Sequence, residues 1–313
     1  MTGVQTCALP ICKKYATFVV GTSTAGYTAA DVDYLCDGTA DDVEINAAIT
    51  ALPSTGGEIV ILEGTYDIKA TININKNNVT IRGCGTSTKL LKTDVNMVEV
   101  FAISSSNCCL SNITIDGNSD SLSYTSKYII RVTGNSNTIC NITICNAMGG
   151  SNCAISLKST ASQNIIEGNQ IYNVDIAISV YSGTNENNNV ISNNIYNVGT
   201  GISSSGTKNN TIGNNIKNSN YGINMNQTKN SVFNGNCMYD CNTGIFIKFA
   251  ENCNVSDNVC MRGAGLSSDY SDTQGTITIL DGAKNNLIYG NLIMGKNYTN
   301  SGTNNTITNN KYQ

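Results

Sequence analysis

The sequence predicts an all-β fold, a solenoid in which short strands stack in about ten coils. Asn is abundant, with 48 among 313 residues, whereas Pro occurs 2 times and charged residues make up 13%. One short pattern, an apolar strand that ends in Asn and is followed by another apolar residue, recurs ten times after residue 76. No helical periodicity occurs in this repeating part. Short strands at such a period bury their apolar faces only by stacking, so the repeat predicts a solenoid.

The recurring Asn marks one bend of each coil. The anchor residues, which lie 19 to 33 residues apart, are Gly83, Asn112, Asn141, Asn169, Asn194, Asn215, Asn236, Asn258, Asn291 and Asn310. Asn tolerates left-handed backbone angles better than most residues, which suits a tight bend. Amides that stack at the same bend of successive coils can donate to and accept from one another, so we expect an Asn ladder. The Asn residues keep fixed positions relative to Ile and Val, which argues against a disordered Asn-rich tract.

A second series of stretches alternates apolar and polar residues, which indicates strands with one face turned inward. These stretches begin at Val98, Ile130, Ile155, Ile178, Ile202, Ile223, Ile245 and Ile277. Each coil is therefore predicted to contain a first strand from this series, a second strand before the anchor residue and a third strand after it.

The N-terminal part of the chain predicts a cap. A helix is expected over about 41–52, started by Asp41 with Glu44 three residues on and ended by Pro53 and Gly56. The residues of its apolar face are Ile45, Ala48, Ile49 and Leu52. Such a helix would cover the open end of the first coil.

The predicted domain order has three parts. Residues 1–14 are a non-native or disordered extension, and no basic residue precedes their short apolar stretch, as one would in a signal peptide. Residues 15–57 form the cap, and residues 58–313 form the stacked coils. No second cap pattern follows the last anchor residue, so we expect the sequence to be truncated there or a partner to cover that end.

Composition excludes several kinds of chemistry. The chain has no His, so it has no Ser-His-Asp triad and no His-ligated zinc. A net charge of −4 argues against a nucleic-acid partner, and no apolar run is long enough for a membrane span. The 13 Cys residues form no CxxC pair, so we expect no metal centre and expect many of them to fill coil interiors as small apolar side chains.

The repeat resembles that of the pectate lyase superfamily, whose fold is a right-handed single-stranded parallel β-helix. The stretch DGTADDVEINAAITALPSTGGEIVILEGTYDI (37–68) is similar to the opening of many proteins with this fold. The resemblance implies tailspike-like carbohydrate recognition, polysaccharide lyase or glycoside hydrolase activity, or a structural role. Lyases of this superfamily use an Arg or Lys base with Ca²⁺ held by acidic residues. No catalytic residue can be transferred to this chain position by position.

The first strands are predicted to present two outward columns on one face. The first column reads Glu99, Arg131, Ser156, Ser179, Ser203, Asn224, Phe246 and Thr278. The second column reads Phe101, Thr133, Lys158, Tyr181, Ser205, Asn226, Lys248 and Leu280. Two long insertions, 116–127 and 262–275, lie between a third strand and the next first strand, where they would flank this face.

The carbohydrate-binding candidates are Lys158, Tyr181, Asn226 and Lys248. An aromatic ring, an amide and two lysines suit an uncharged or acidic oligosaccharide that lies along the stack. Each of these residues taken singly is more simply explained as part of a solvated face. The long insertions beside the face favour a binding role for the face as a whole.

Catalytic candidates are weaker. A hydrolytic pair of carboxylates would come from Asp116, Asp120, Asp269 and Asp272, and the remaining cationic candidates are Arg131 and Arg262. Loop residues that only improve solubility explain these positions more simply. Neither column carries the acidic cluster that Ca²⁺ needs, so no cofactor is expected.

Three classes of function therefore stay open from the sequence. The favoured one is an extracellular, cell-surface or phage-borne module that recognises a polysaccharide, in a homotrimer or larger fibre, with depolymerase activity left open. The second is a polysaccharide lyase or glycoside hydrolase. The third is a structural or adhesive solenoid, because one fold serves all three roles.

Overall fold

The computed structural model describes residues 16–121, 127–150, 152–158, 160–181, 183, 185–261, 276–294 and 298–312. These residues contain 28 strands, the helix α1 (Asp42–Ala51) and one short 3-10 helix. The pairings between neighbouring strands are parallel throughout. The predicted extension 1–14 lies outside the described residues.

The length of the strands varies along the chain, from 2 to 14 residues. The first nine are β1 (Thr17–Thr22), β2 (Tyr34–Cys36), β3 (Gly57–Ile61), β4 (Gly64–Ile68), β5 (Ile72–Ile74), β6 (Val79–Lys92), β7 (Phe101–Ile103), β8 (Cys109–Asp116) and β9 (Tyr128–Val132). The next ten are β10 (Thr138–Cys140), β11 (Thr143–Ala147), β12 (Cys153–Leu157), β13 (Ile165–Glu167), β14 (Gln170–Val180), β15 (Asn189–Ile191), β16 (Asn194–Ser204), β17 (Asn210–Ile212), β18 (Asn215–Asn226) and β19 (Val232–Asn234). The last nine are β20 (Cys237–Lys248), β21 (Asn254–Ser256), β22 (Val259–Met261), β23 (Ile277–Ile279), β24 (Leu287–Tyr289), β25 (Leu292–Met294), β26 (Thr299–Asn300), β27 (Thr306–Thr308) and β28 (Lys311–Tyr312).

The strands form three faces, which we name after the position of their strands in the coil. The first-strand sheet contains β5, β7, β9, β12, β14, β16, β18, β20, β23 and β26. The second-strand sheet runs from β3 through β10 and β17 to β27, and the third-strand sheet runs from β4 through β11 to β28. Long strands such as β14 belong to two faces, because their first half pairs with β11 and their second half with β12. The predicted coil of three strands is confirmed.

The core lies inside the coils and is built from stacked aliphatic side chains. One inward column of the first-strand sheet consists of Ile155, Ile178, Ile202, Ile223, Ile245 and Ile277, all 0% exposed. Burying each such side chain contributes about 1.5–3 kcal/mol, so the stacked column is a major source of stability. Each coil needs its neighbours to gain this burial.

An Asn ladder stands at the bend between the second and third strands, as predicted. Its members, which we call ladder one, are Asn169, Asn193, Asn214, Asn236, Asn258, Asn291 and Asn310. Each of the first six amides donates from Nδ2 to the Oδ1 of the next, over 2.9–3.0 Å. The predicted anchors Asn194 and Asn215 are wrong by one residue, because these side chains are exposed.

Two further anchors need correction. At the coils of Asn112 and Asn141 the ladder position is taken by Ile113 and Ile142, which are 1% exposed. Asn112 and Asn141 have φ of 56° and 54° and therefore form the left-handed corner itself. The two roles assigned to one Asn are thus divided between neighbours: one residue turns the corner, and the next provides the buried amide.

A second ladder stands at the bend between the first and second strands and was not predicted. Its members, which we call ladder two, are Asn137, Asn164, Asn188, Asn209, Ser231, Cys253, Asn286 and Asn305. Each lies five residues before the ladder-one position of the same coil, as Asn188 does before Asn193. In the coils where both positions are Asn, two buried amides therefore satisfy backbone groups at both bends.

The helix α1 lies within the predicted span and buries the predicted face, since Ile45, Ala48 and Ile49 are at most 1% exposed. The predicted capping role of Asp41 is wrong, because its side chain makes no cap hydrogen bond. Its carboxylate instead accepts from the backbone N–H groups of Gly38 and Asp67, each over 2.8 Å. Asp41 therefore ties the helix to the first coil.

Cysteines behave as predicted in most places. Seven of the 11 described cysteines are buried: Cys36, Cys108, Cys145, Cys153, Cys241, Cys253 and Cys260. Burial raises the pKa of Cys153 to about 12 and that of Cys253 to about 11, so these thiols stay protonated at neutral pH. Among the helices in the described ranges, none is both long and apolar enough to cross a bilayer.

Candidate functional site

A groove runs along the first-strand sheet and is made of three clefts. The N-terminal cleft, of about 700 Å³, shares Lys127 and Tyr128 with a middle cleft of about 300 Å³. The middle cleft shares Ile176, Ser179 and Tyr181 with a C-terminal cleft of about 340 Å³. Shared walls make the three clefts continuous along the stack.

The N-terminal cleft is lined by charged side chains. Arg131 holds Glu99 with two hydrogen bonds, Nη2 to Oε1 over 2.6 Å and Nε to Oε2 over 3.1 Å. These bonds raise the pKa of Arg131 further above its ordinary value. Lys69 and Lys127 complete the cationic lining of this cleft. The guanidinium of Arg131 and the carboxylate of Glu99 are bound to each other. They are therefore better placed to form the wall of the cleft than to transfer protons.

Lys158 is held between the rings of Tyr128 and Tyr181, both of which line the middle cleft. Its Nζ lies 4.3 Å from the ring centroid of Tyr128 and 3.6 Å from that of Tyr181. Tyr181 is 52% exposed, although its ring is held in place by the lysine. Cation–π contacts of this kind orient both partners. Lys158 and the two rings therefore form one cluster whose side chains hold each other in place.

The C-terminal cleft has an uncharged, hydrogen-bonding floor. Its polar residues are Ser179, Ser203, Ser205, Asn226 and Gln227. Lys248 follows Asn226 in register on the next coil, and its Nζ lies 5.1 Å from the ring centroid of Phe249. Hydroxyl and amide groups at a spacing of about 4.8 Å per coil offer repeated donors and acceptors to an extended ligand.

The structure brings the four binding candidates into one column. The same register position on successive coils is occupied by Lys158, Tyr181, Ser205, Asn226 and Lys248. The predicted start of both columns is wrong, because Arg131 pairs in register with Ala102 and not with Glu99. Phe101 points inward and is 0% exposed.

Asp116 lies away from the groove, at the end of β8 in the third-strand sheet. Its carboxylate pairs with Lys89 over 2.7 Å and accepts from the backbone N–H of Asn118 over 2.9 Å. An Asp with these partners has a structural explanation. Asp120 is exposed in the turn that follows β8. The remaining catalytic candidates Arg262, Asp269 and Asp272 lie outside the described residues.

Sequence reasoning missed three residues of this face: Tyr128, Lys127 and Phe249. Lys127 is the last residue of the first insertion and Tyr128 follows it, so the alternating stretch, which begins at Ile130, did not include them. Phe249 follows the alternating stretch and has φ of 52°, which a sequence pattern does not show for an aromatic residue.

Three potential metal ligands, Cys36, Asp41 and Glu44, bring one atom each within 4.8 Å of one another near α1. The carboxylate of Asp41 is already used by two backbone N–H groups. Burial raises the pKa of the Cys36 thiol, which disfavours the thiolate that binds metals. We assign no metal site to this cluster.

The fold and the groove define an all-parallel solenoid with an elongated surface site, and comparisons identify its class. A family model described as the right handed beta helix region matches residues 162–312. The protein is a right-handed parallel β-helix, as predicted from the repeat. No curated protein matches the chain.

Solved structures with the same fold come from bacteria and a phage. DFA-IIIase from Arthrobacter chlorophenolicus A6 in complex with GF2 has a TM-score of 0.72 and 16% identity, over 95% of this chain and 84% of that chain. The A-module of the mannuronan C-5 epimerase AlgE6 from Azotobacter vinelandii has a TM-score of 0.66 and 14% identity, over 92% and 99%. The enzymatically active domain of bacteriophage CBA120 tailspike protein 2 has a TM-score of 0.67 and 14% identity, over 89% and 44%. At these identities the likeness shows the fold.

Proposed function

We propose that this protein recognises a polysaccharide, which it binds along the groove of the first-strand sheet. The observation that carries the proposal is the continuity of the three clefts through the shared walls Tyr128 and Tyr181. An elongated groove with a polar floor and aromatic walls fits an extended, hydroxyl-rich chain. An extracellular or phage-borne, tailspike-like setting goes with this role.

The known proteins of the same fold support a carbohydrate ligand. They include a mannuronan epimerase, a DFA-IIIase with bound GF2 and the enzymatically active domain of a tailspike. These are different activities on one architecture, so the choice among them for this chain depends on its own groove.

Among the residues that the structure describes, the state of the acidic groups favours binding over cleavage. The carboxylate of Glu99 is held by Arg131, and that of Asp116 is held by Lys89 on another face. Glycoside hydrolysis needs two carboxyl groups that flank one bond. Depolymerase activity is the second candidate, and the binding experiment can measure it directly.

The test uses a panel of polygalacturonate, mannuronan, a fructan and several bacterial capsular polysaccharides. Affinity electrophoresis and calorimetry measure binding, while new reducing ends and the ultraviolet absorbance of unsaturated uronates report cleavage. We expect at least one polysaccharide to bind, and the double variant Lys158→Ala with Tyr181→Ala to bind about tenfold more weakly or worse.

A matched control exists on the third-strand sheet. Lys217 and Tyr239 also form a cation–π pair, with 5.3 Å from Nζ to the ring centroid. The double variant Lys217→Ala with Tyr239→Ala should bind as wild type does. Failure of the whole panel to bind, or an equal loss in the control, would contradict the proposed function.

A further inference from the structure

Two exposed aromatic rings stand at the same rim of the first-strand sheet. Tyr181 is 52% exposed and Phe249 is 47% exposed. The column of Tyr181 passes through Ser205 and Asn226 to Lys248, the residue before Phe249. The rings are thus three coils apart, which at about 4.8 Å per coil is about 14 Å along the groove.

The position of Phe249 is not explained by burial of its side chain in the core. Its φ of 52° lies in the left-handed region, which is unfavourable for an aromatic residue. Its ring is not buried, so the core does not compensate for this strain. Gly282 on the next coil makes room for the ring, because a Cβ there would lie 2.2 Å from Cδ1 of Phe249. The chain therefore holds an apolar ring in solvent at a fixed place.

Tyr181 is fixed by different contacts. Lys158 lies 3.6 Å from its ring centroid and is itself backed by Tyr128. Tyr181 also lines the C-terminal cleft, which extends from it toward Phe249. Rings that are ordered before a ligand arrives lose little entropy on binding.

The segment between the rings is polar. Ser205, Asn226 and Gln227 line it, and Gln227 holds the position one coil before Phe249, with its N–H donating to the carbonyl of Lys248 over 3.1 Å. Gln227 has φ of 62°, so the same bend carries a polar residue on one coil and an aromatic residue on the next. The aromatic residue is therefore a feature of this coil and is not required by the bend.

We infer that Tyr181 and Phe249 are the two end platforms of one binding region, which takes a glycan segment long enough to span three coils. The inference rests on the proposed function and adds a length requirement to it. A distance of about 14 Å corresponds to about three sugar rings between the platforms, so a segment of about four or five sugars stacks on both rings while its hydroxyls bond to the floor.

The experiment compares oligomers of different length. The polysaccharide that binds best in the panel is hydrolysed and separated into fragments of two to eight sugars, and calorimetry gives Kd for each. For the wild type we expect Kd to fall about tenfold as the fragments become long enough to reach both rings, and to change little beyond that length.

The key variant is Phe249→Asn. Asn accepts left-handed angles, so this variant should be at least as resistant to heat as the wild type. It should nevertheless lose the tenfold gain for long fragments and keep the wild-type Kd for the shortest ones. The control Leu287→Ala removes another exposed apolar side chain, 39% exposed on the second-strand sheet, and should keep the gain.

The outcomes separate the two proposals. A Kd that does not depend on length, or an unchanged gain in Phe249→Asn, overturns the inference and leaves the proposed function intact. Failure of every polysaccharide in the panel to bind the wild type overturns both.

Discussion

Both ladders provide hydrogen bonds to backbone groups at a bend of the coil, but only ladder one consists of Asn without interruption. Ladder one consists of Asn at seven successive coils, from Asn169 to Asn310. Ladder two changes to Ser231 and Cys253 in two neighbouring coils and then returns to Asn286. Cys253 still donates its backbone N–H to the Oδ1 of Asn286 over 2.9 Å.

The interruption coincides with charges on the outside of the same bend. Glu251 accepts from Lys229 over 3.4 Å and from Lys284 over 3.3 Å, and these residues lie two positions before Ser231, Cys253 and Asn286. The comparison teaches that, from Asn169 onward, the bend between second and third strands keeps a buried amide on every coil. The bend between first and second strands tolerates substitutes and has additional surface ion pairs.

The largest effect should come from breaking the continuous ladder at Asn214. Its Nδ2 donates to the carbonyl of Val190 and to Oδ1 of Asn236, and its Oδ1 accepts from Asn193, all over 2.9–3.0 Å. Asn214→Ala removes these side-chain bonds together and takes the acceptor from the buried backbone N–H of Asn193, so we expect unfolding in urea to show a loss of about 3 kcal/mol.

The neighbouring residue provides the control. Asn215 is exposed and donates to Asn194 over 3.2 Å, so Asn215→Ala should change the free energy of unfolding by less than about 0.5 kcal/mol. Equal losses in the two variants would show that the buried column is not what holds this bend.

A smaller and opposite effect is expected from completing ladder two. Ser231 accepts from the backbone N–H of Asn209 over 3.0 Å, but its hydroxyl donates to the carbonyl of Lys229 over 2.8 Å and not along the ladder. Ser231→Asn should raise the free energy of unfolding by about 1 kcal/mol, measured as the shift of the urea midpoint. A lower midpoint would mean that this coil has no room for the amide, and that the interruption is set by packing.

The next effect concerns the left-handed residues of the same bend. Lys208 has φ of 57°, whereas the equivalent residues of neighbouring coils are Asn187, Asn230, Asn252 and Asn285. Lys208→Asn should add about 0.5 kcal/mol, because Asn adopts this conformation at a lower cost. The exposed ion pair of Lys208 with Glu186 is lost, and pairs of this kind contribute little. A fall in Tm would show that this ion pair outweighs the backbone strain.

The smallest effect is expected from the ion pairs outside ladder two. Lys284, and then Lys229, hold the pKa of Glu251 below its ordinary value. A lowered pKa in the folded state stabilises the fold above the ordinary carboxylate pKa of about 4.3, and this contribution is lost as the pH falls through the lowered value. Glu251→Gln should lower Tm slightly at pH 7 and low salt. The difference should vanish in strong acid and shrink in high salt, and a difference that persists in acid would contradict the role of the charge.

The fold was predictable from the sequence because the same residue types recur once in each coil. The register, which decides which of two adjacent Asn residues is buried, was not predictable in the same way. Asn193 and Asn194 are adjacent, as are Asn214 and Asn215, so an anchor Asn alone does not show which amide is buried. A five-residue spacing does not decide it within such a coil, because Asn188 to Asn193 and Asn189 to Asn194 have the same spacing. The coils of Asn164 and Asn169 and of Asn286 and Asn291, where only one such pair occurs, contain the signal that would have decided it.

The site was predictable only in part for a similar reason. Lys158, Tyr181, Asn226 and Lys248 follow from the alternation of the strands, and the structure places them in one column. The start of that column was lost because Val100 and Phe101 are both buried, which interrupts the alternation. The groove itself joins residues from several coils, so its continuity depends on side-chain positions that a linear pattern does not contain.

The near-identical coils also have a consequence for how such a chain can change over time. Residues 194–214 make up one complete turn of 21 residues, which ends on the same kind of amide as the turn before it. Duplication or loss of such a unit would join matching ends and keep every neighbour in place. The molecule could therefore gain or lose whole coils without other changes to the residues of its core.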